Sequence, residues 1–299
     1  LHPGYYATQM ARRMAEAADG EMAVHEVQHH HAHIVSCMAE NQITGDVIGL
    51  AMDGTGYGTD GHIWGGEFLV ANEQQFTRIG HLVEFALPGG ERAIREPWRT
   101  AMGLLQSAYG SSWPEIADRL QLFPSGVKSE VMERAVRLGI NSAPTSSLGR
   151  VFDGVAAILG RRQSVTFEGQ AAMELEGAVR GGSGKDLPYA IQEGPPLQLD
   201  LRPAVRMLAE KRMDGRPAGP LIWTFHQTLV RAFAEMAIAI RKRTGLHCVA
   251  LSGGCFQNRL LLEGTVRALE EAGFAVFCHH LVPTNDGGVS LGQAVCAGS

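Results

Sequence analysis

Apolar positions along this chain fall into two rhythms. Short apolar runs bounded by turn residues read as strands. The clearest is Val47-Ile48-Gly49-Leu50-Ala51-Met52, which delivers Asp53 at its end; a return strand over 63–70 makes it a hairpin, and further strands are expected over 22–27, 76–85, 248–251 and 274–277. Helical patterns occupy 7–18, stopping at Asp19-Gly20, and 32–40, with apolar Ile34, Val35 and Met38. After Leu87-Pro88-Gly89-Gly90 helices dominate: 97–109 with Pro97 at its first position, 127–138, 149–160 after a polar loop at 141–147 able to cap it, a helix that Gly169 precedes, 258–271 and 289–297. The longest pattern, 221–243, is apolar at Phe225, Leu229, Phe233, Met236 and Ile240; His226 beside that face reads as a core histidine satisfied by a hydrogen bond. Gly181 to Asp186 reads as a connector and Gly194-Pro195-Pro196 as a turn.

A sheet hairpin, a helical region, then a strand, a glycine turn and a helix is an α/β order resembling the two-lobed actin-like ATPases, with nucleotide in the cleft. The division it implies is 1–86, a partial N-terminal lobe with the histidines and the glycine-loop hairpin, and 87–299, a helix-rich C-terminal lobe with nucleotide-binding loops.

Composition narrows the classes. The 299 residues suffice for a sizeable core, and 45% hydrophobic with 19% charged residues is ordinary for a globular protein. No apolar run approaches the roughly 18 residues a membrane span needs, and no signal-peptide pattern opens the chain, so a cytoplasmic protein is expected. The formal charge is −5, with basic residues in scattered pairs, which argues against a nucleic-acid partner. Five cysteines form no C-x-x-C pair and read as reduced thiols.

The chemistry concentrates between Gln28 and Gly61. His29 and His33, four apart on a helix, present two imidazoles to one ion, while His30 and His31 point elsewhere. Asp53-Gly54-Thr55-Gly56-Tyr57-Gly58-Thr59-Asp60-Gly61 holds four glycines in nine residues, a candidate phosphate cradle at the hairpin tip. Alone, the first is as readily a solvated patch and the second a tight turn as either is a site; together they favour a metal and nucleotide site. Ser252-Gly253-Gly254-Cys255-Phe256-Gln257-Asn258, between a strand and a helix, is an anion site because first-turn N–H groups are free there. Cys255 reads as a small residue lining that turn, since no histidine closely precedes it. Arg95, Glu96 and Arg99 form a polar knot, as consistent with a surface ion pair as with anion recognition.

These motifs, with Trp64-Gly65-Gly66-Glu67-Phe68 and Asn285-Asp286-Gly287-Gly288, closely resemble the C-terminal carbamoyltransferase domain of the HypF family of [NiFe]-hydrogenase maturation proteins, over essentially the whole chain. That domain is similar to the tRNA threonylcarbamoyl transferase TsaD, in the actin-like (ASKHA) superfamily. The resemblance implies a divalent metal, iron or zinc, at His29, His33, Asp53 and Asp286, residues that would also be catalytic. It implies contacts to the ATP or AMP moiety of carbamoyl-adenylate at Gly54, Thr55, Gly56, Asp153, Gly169, Gly253, Gly254 and Asn258. It implies transfer of the carbamoyl group to the C-terminal cysteine of HypE, with the adenylate made by a YrdC-like domain that has no signature here. The opening strands of the first lobe also look absent, so a fragment is expected. Two other readings stand beside this one: an actin-like kinase or ATPase, for which a two-His, two-Asp cluster is unusual, and a non-catalytic nucleotide-binding module that docks partner domains.

Overall fold

The computed structural model describes residues 2, 4–18, 22–180 and 186–299. Asp19 and Gly20, expected to stop the first helix, and Gly181 to Lys185 of the expected connector lie outside them. In chain order the elements begin with α1 (Tyr6–Ala17), α2 (His29–Glu40), β1 (Val47–Tyr57), β2 (Ile63–Ala71), β3 (Phe76–Leu82) and β4 (Phe85–Pro88). Then come α3 (Glu91–Arg95), α4 (Pro97–Tyr109), α5 (Trp113–Arg119), α6 (Ser129–Arg137), β5 (Ser142–Thr145), α7 (Leu148–Ile158) and α8 (Gln170–Gly177). The remainder is β6 (Ala190–Gln192), β7 (Leu197–Asp200), α9 (Arg202–Met213), α10 (Ala218–Thr244), β8 (Cys248–Ser252), α11 (Arg259–Glu271), β9 (Ala275–Phe277) and α12 (Val289–Gly298).

One sheet runs through the molecule in the order β6-β7-β3-β2-β1-β8-β9, with β4 and β5 paired at its side. The hairpin is antiparallel, Val47 opposite Ala71, and its register slips between Met52 and Gly56. On its other side β1 runs parallel to β8, and β8 parallel to β9. These three strands therefore deliver their C-terminal ends to one edge, where ligands bind in α/β sheets. Strands from both sides of residues 86/87 pair in this sheet, and that position falls inside β4.

Strand alternation sorts β1 between two cores. Ile48, Leu50 and Met52 face the larger one with Phe152 of α7 and Phe233 of α10; Val47 and Ala51 face a smaller one with Ile34, Val35 and Met38 of α2. Each of these side chains larger than alanine stabilises the fold by about 1.5–3 kcal/mol on burial. On the α2 side α12 comes close: a Cβ on Gly292 would lie 1.9 Å from the Ala32 carbonyl oxygen.

Three expected elements differ. Residues 22–27 form no strand; Met22 and Val24 remain exposed, two apolar side chains with no ladder to join. The strand expected over 76–85 breaks at Val83, whose N–H bonds Leu199 instead, so β4 departs to pair with β5. Part of the polar stretch 141–147 is thereby a strand rather than a loop, although Ser147 does cap the next helix, accepting from Arg150 N.

Candidate metal centre and nucleotide cavity

The helix that carries the histidines starts at Gln28, whose Oε1 accepts from His31 N at 2.9 Å and so satisfies a first-turn donor. The helical repeat then puts His29 and His33 on one face. His31 turns to the Asn72 carbonyl (2.7 Å) and His30 packs beside Trp64. Gly56 allows this approach: a Cβ there would meet the His30 ring at 2.4 Å and the His29 ring at 2.8 Å.

At the register slip the end of β1 turns Asp53 toward these rings. Its Oδ2 lies 3.1 Å from His29 Nε2 and 3.6 Å from His33 Nε2; Asp286 Oδ1 lies 3.4 and 3.5 Å from the same two atoms. Asp286 arrives on a turn before α12 that Asn285 caps, accepting from Gly287 N. This turn is knitted to the β8 loop, since Gly253 N donates to the Thr284 carbonyl at 3.0 Å. The second oxygen of Asp53 accepts from Gly254 N at 2.9 Å, which orients the carboxylate.

Burial lowers the pKa of His29, but hydrogen bonds to Asp286 and Asp53 outweigh it and hold it up at about 9. The same opposition leaves His33 raised. Burial works to raise Asp53, yet His29 and His33 hold it well below the usual carboxylate range. The His29 and His33 rings beside it likewise depress Asp286. Nε2 of His33 is buried with no aligned hydrogen-bond partner among the described residues.

A divalent ion fits these residues. One donor atom from each of the four lies within 4.8 Å of the others. Neighbouring donors around an ion with bonds of about 2.1 Å sit roughly 3.0–3.4 Å apart, close to the 3.1–3.6 Å between the imidazoles and carboxylates. Two imidazoles and two carboxylates without a thiolate suit zinc or iron.

Beside the cluster opens a cavity of about 340 Å³, whose wall includes both aspartates. Of the residues expected to touch nucleotide, Gly54, Thr55, Asp153, Gly169 and Gly254 line it. Three do not. Gly56 serves the histidines. Gly253, at φ +104°, packs on the Met52 backbone, where a Cβ would lie 2.3 Å from the carbonyl oxygen. Asn258 is 8% exposed; its Oδ1 caps α11 at Leu261 N, and its amide meets His226 Nε2 at 2.9 Å. That contact and a second from Nδ1 to the Ile222 carbonyl satisfy the core histidine. The hairpin tip is also displaced from the cavity: the wall is built by the slip at Gly54 and Thr55, whereas Thr59 to Gly61 are exposed.

Arg150, Glu168, Gln257 and Asn285 line the cavity without having been singled out as contacts. Arg150 sits one turn into α7, three residues before Asp153, a spacing that offered the signal. The Arg150 Nη2 to Asp153 Oδ2 distance is 3.1 Å, but alignment is poor, and Arg150 Nε and Nη1 have no partner among the described residues. Burial, opposed only weakly by Arg150, therefore raises Asp153 to about 6. Burial also pushes the Cys255 thiol well above its ordinary pKa, so it lines the turn without nucleophilic character. All five cysteines are free. Glu96 is taken up by Arg92 and Arg99, and Arg99 stacks over Trp98; Arg95 borders a separate hollow of about 500 Å³ that meets the cavity at Glu168. A larger hollow of about 1070 Å³ near Tyr189 and Arg231 contains none of the clustered ligands.

The profile described as "Carbamoyltransferase, Kae1-like Domain, second subdomain" matches residues 49–293, and that of the "HypF Kae1-like domain" residues 1–40. The chain belongs to this family. The carbamoyltransferase HypF of Rhizobium leguminosarum bv. viciae is 40% identical over 99% of the chain and 37% of its own length. A carbamoyltransferase HypF homolog of Cupriavidus necator is 35% identical, over 98% of the chain and 75% of its own length. The crystal structure of full-length HypF in a phosphate- and nucleotide-bound form superposes with a TM-score of 0.91 at 42% identity, covering 99% of this chain and 38% of that one. The chain thus spans well under half of that full-length protein, and its mixed α/β architecture is the Kae1-like, actin-like ATPase type of the family. No described helix is long and apolar enough to cross a membrane.

Proposed function

We propose that this domain transfers a carbamoyl group from carbamoyl-adenylate to the C-terminal cysteine thiol of HypE, a step toward the cyanide ligands of [NiFe]-hydrogenase. The observation that carries this reading is the juxtaposition of a two-His, two-Asp cluster with a cavity that shares Asp53 and Asp286 with it. Family membership supports the reaction class, and the nucleotide in the related structure supports an adenylate as donor.

His29, His33, Asp53 and Asp286 would hold iron or zinc, which supplies Lewis acidity toward an acyl or phosphoryl oxygen. Gly54 and Gly254, without Cβ atoms, let backbone approach the donor closely beside Thr55, and Gly169, at φ +77°, turns the chain into α8 at the cavity wall. Arg150 offers guanidinium charge to a wall otherwise rich in carboxylates. In the transfer the acceptor thiol gives up its proton to solvent, its sulfur bonds the carbamoyl carbon, and the bond from that carbon to the phosphate oxygen breaks with its electron pair leaving on AMP, which is released. The nucleophile comes from the partner, in keeping with the raised thiol pKa values here. Making the adenylate from carbamoyl phosphate and ATP falls to a YrdC-like domain outside this chain.

Single-turnover assays with supplied carbamoyl-adenylate and a cysteine-ended acceptor peptide test this. Transfer by the wild type, lost in Asp286→Ala with the fold unchanged, is the expected result. No transfer by a folded, metal-loaded chain, or equal rates in the variant, would overturn it.

A further inference from the structure

Behind His33, away from Asp53 and Asp286, runs a line of buried polar side chains that the metal and nucleotide readings leave unused. His33 Nδ1 lies 3.4 Å from Ser252 Oγ, at the end of β8. Ser252 Oγ lies 2.9 Å from Nε2 of His279, just beyond β9. His279 Nδ1 lies 3.0 Å from Oε2 of Glu40, at the last turn of α2. Ser252 is fully buried, and the side chains of His279 and Glu40 are 4% and 7% exposed.

Donor and acceptor chemistry sets one direction along this line. Glu40 receives His279 Nδ1 and the backbone N–H groups of His280, Leu281 and Val282. Four donors converging on one carboxyl group leave no room for a carboxyl proton, so Glu40 is acceptor-only. His279 must then carry its proton on Nδ1, and as a neutral ring it presents a lone pair at Nε2. Ser252 must donate its one hydroxyl proton to that lone pair, which leaves its oxygen to accept from His33 Nδ1. His33 therefore keeps Nδ1–H, so the proton an arriving ion displaces is the one Asp53 and Asp286 draw to Nε2, and the ring is left as the Nδ1–H form with its Nε2 lone pair on the side of the two carboxylates. That is the tautomer a metal-binding imidazole requires.

We propose that Glu40, His279 and Ser252 are positioning residues that set the His33 tautomer for metal binding, so that Glu40, two helical turns from His33, governs metal affinity without touching the ion. The inference rests on the metal site proposed above. Glu40 has a second effect of the same sign: by accepting from the backbone N–H groups of His280, Leu281 and Val282 it orders that segment, just ahead of Asp286.

Glu40→Gln is the incisive variant. Its oxygen stays with the paired His280 and Leu281 N–H donors, which places the amide donor against His279 Nδ1. The direction then reverses: His279 donates through Nε2, Ser252 donates to His33 Nδ1, and His33 carries its proton on Nε2, where it repels a cation. Cobalt(II) alone, titrated into the metal-free chain and followed by visible absorption, should bind Glu40→Gln and Ser252→Ala roughly tenfold to a hundredfold more weakly than wild type, the usual range for such outer contacts. His279→Gln, which can still accept from Ser252 and donate to Glu40, should stay close to wild type, whereas His279→Leu should weaken like Ser252→Ala. Nitrogen–proton correlation spectra of the histidine rings should show His279 protonated at Nδ1 in wild type and at Nε2 in Glu40→Gln. Equal cobalt affinity across wild type, Glu40→Gln and Ser252→Ala would overturn the proposal, as would His279 protonated at Nε2 in wild type. If Glu40→Gln does not fold, the His279→Gln and His279→Leu pair decides, and equal affinity of those two overturns it. Wild type that binds no cobalt removes the metal site itself, an outcome distinct from equal binding by all variants.

Discussion

Asp153 shows how much one poorly aligned contact matters. Its carboxyl is buried beside a guanidinium but lacks a hydrogen bond to it, so desolvation dominates and the pKa stands near 6 against an ordinary 3.8. A raised carboxyl pKa contributes stability that is complete below the unfolded value and is lost as pH rises through the folded one. The window here runs from about pH 4 to 6. Asp153→Asn should therefore be more stable than wild type at pH 8, by about 1–3 kcal/mol without ligand, and lose that advantage at pH 4. Denaturant melts at the two pH values check this; equal midpoints at pH 8 would contradict the account. Asn258 makes the complementary case. Its side chain caps α11 and satisfies His226, so Asn258→Ala should cost about 1–3 kcal/mol of stability. AMP affinity of the folded fraction, measured by calorimetry, should not change; a clear loss would return Asn258 to the cavity.

Among the elements, β1 decides most. Its alternation serves two cores, and its slip between Met52 and Gly56 aims Asp53 at α2 while opening Gly54 and Thr55 to the cavity. The neighbouring β8 loop can follow only because Gly253 sits at φ +104° against the Met52 backbone. Gly253→Ala combines a left-handed conformation with a backbone clash and should cost about 2–4 kcal/mol. Because Gly254 N holds Asp53, it should also weaken metal binding. A thermal melt and a cobalt titration test both; a variant matching wild type in the two would contradict the packing described.

In the whole molecule the proposed ion would tie together α2, the end of β1 and the turn before α12, three segments distant in sequence. Ligand binding to the folded state alone adds about 2.7 kcal/mol at a hundredfold excess over Kd. Removing metal with a chelator should then lower the melting temperature by roughly 4–5 °C at that excess. Asp286→Ala should show little response to chelator. A chelator effect of equal size in the variant would place the stabilising ion elsewhere.

Local signals in the sequence sufficed for what depends on neighbours along the chain. The i, i+4 spacing of His29 and His33, Pro97 at its helix start, the apolar face of α10, the cap at Ser147 and the satisfied His226 were all legible, because helical periodicity and capping act within a few residues. Family resemblance, not local pattern, joined Asp53 and Asp286 to the histidines, and the structure brings all four together. Neither revealed β5, β6, β7 or α9, whose short or mixed segments are defined by pairing with β4, β3 and the α4 side of the core. The tertiary structure alone decided that Gly254 and not Gly253 faces the cavity, that Asn258 turns inward to His226, and that Arg150 and Glu168 join the wall. Those outcomes depend on which face of a turn packs against a strand from elsewhere in the chain. The same holds for Glu40, Ser252 and His279, brought into line because β8 and β9 run parallel and end beside the last turn of α2.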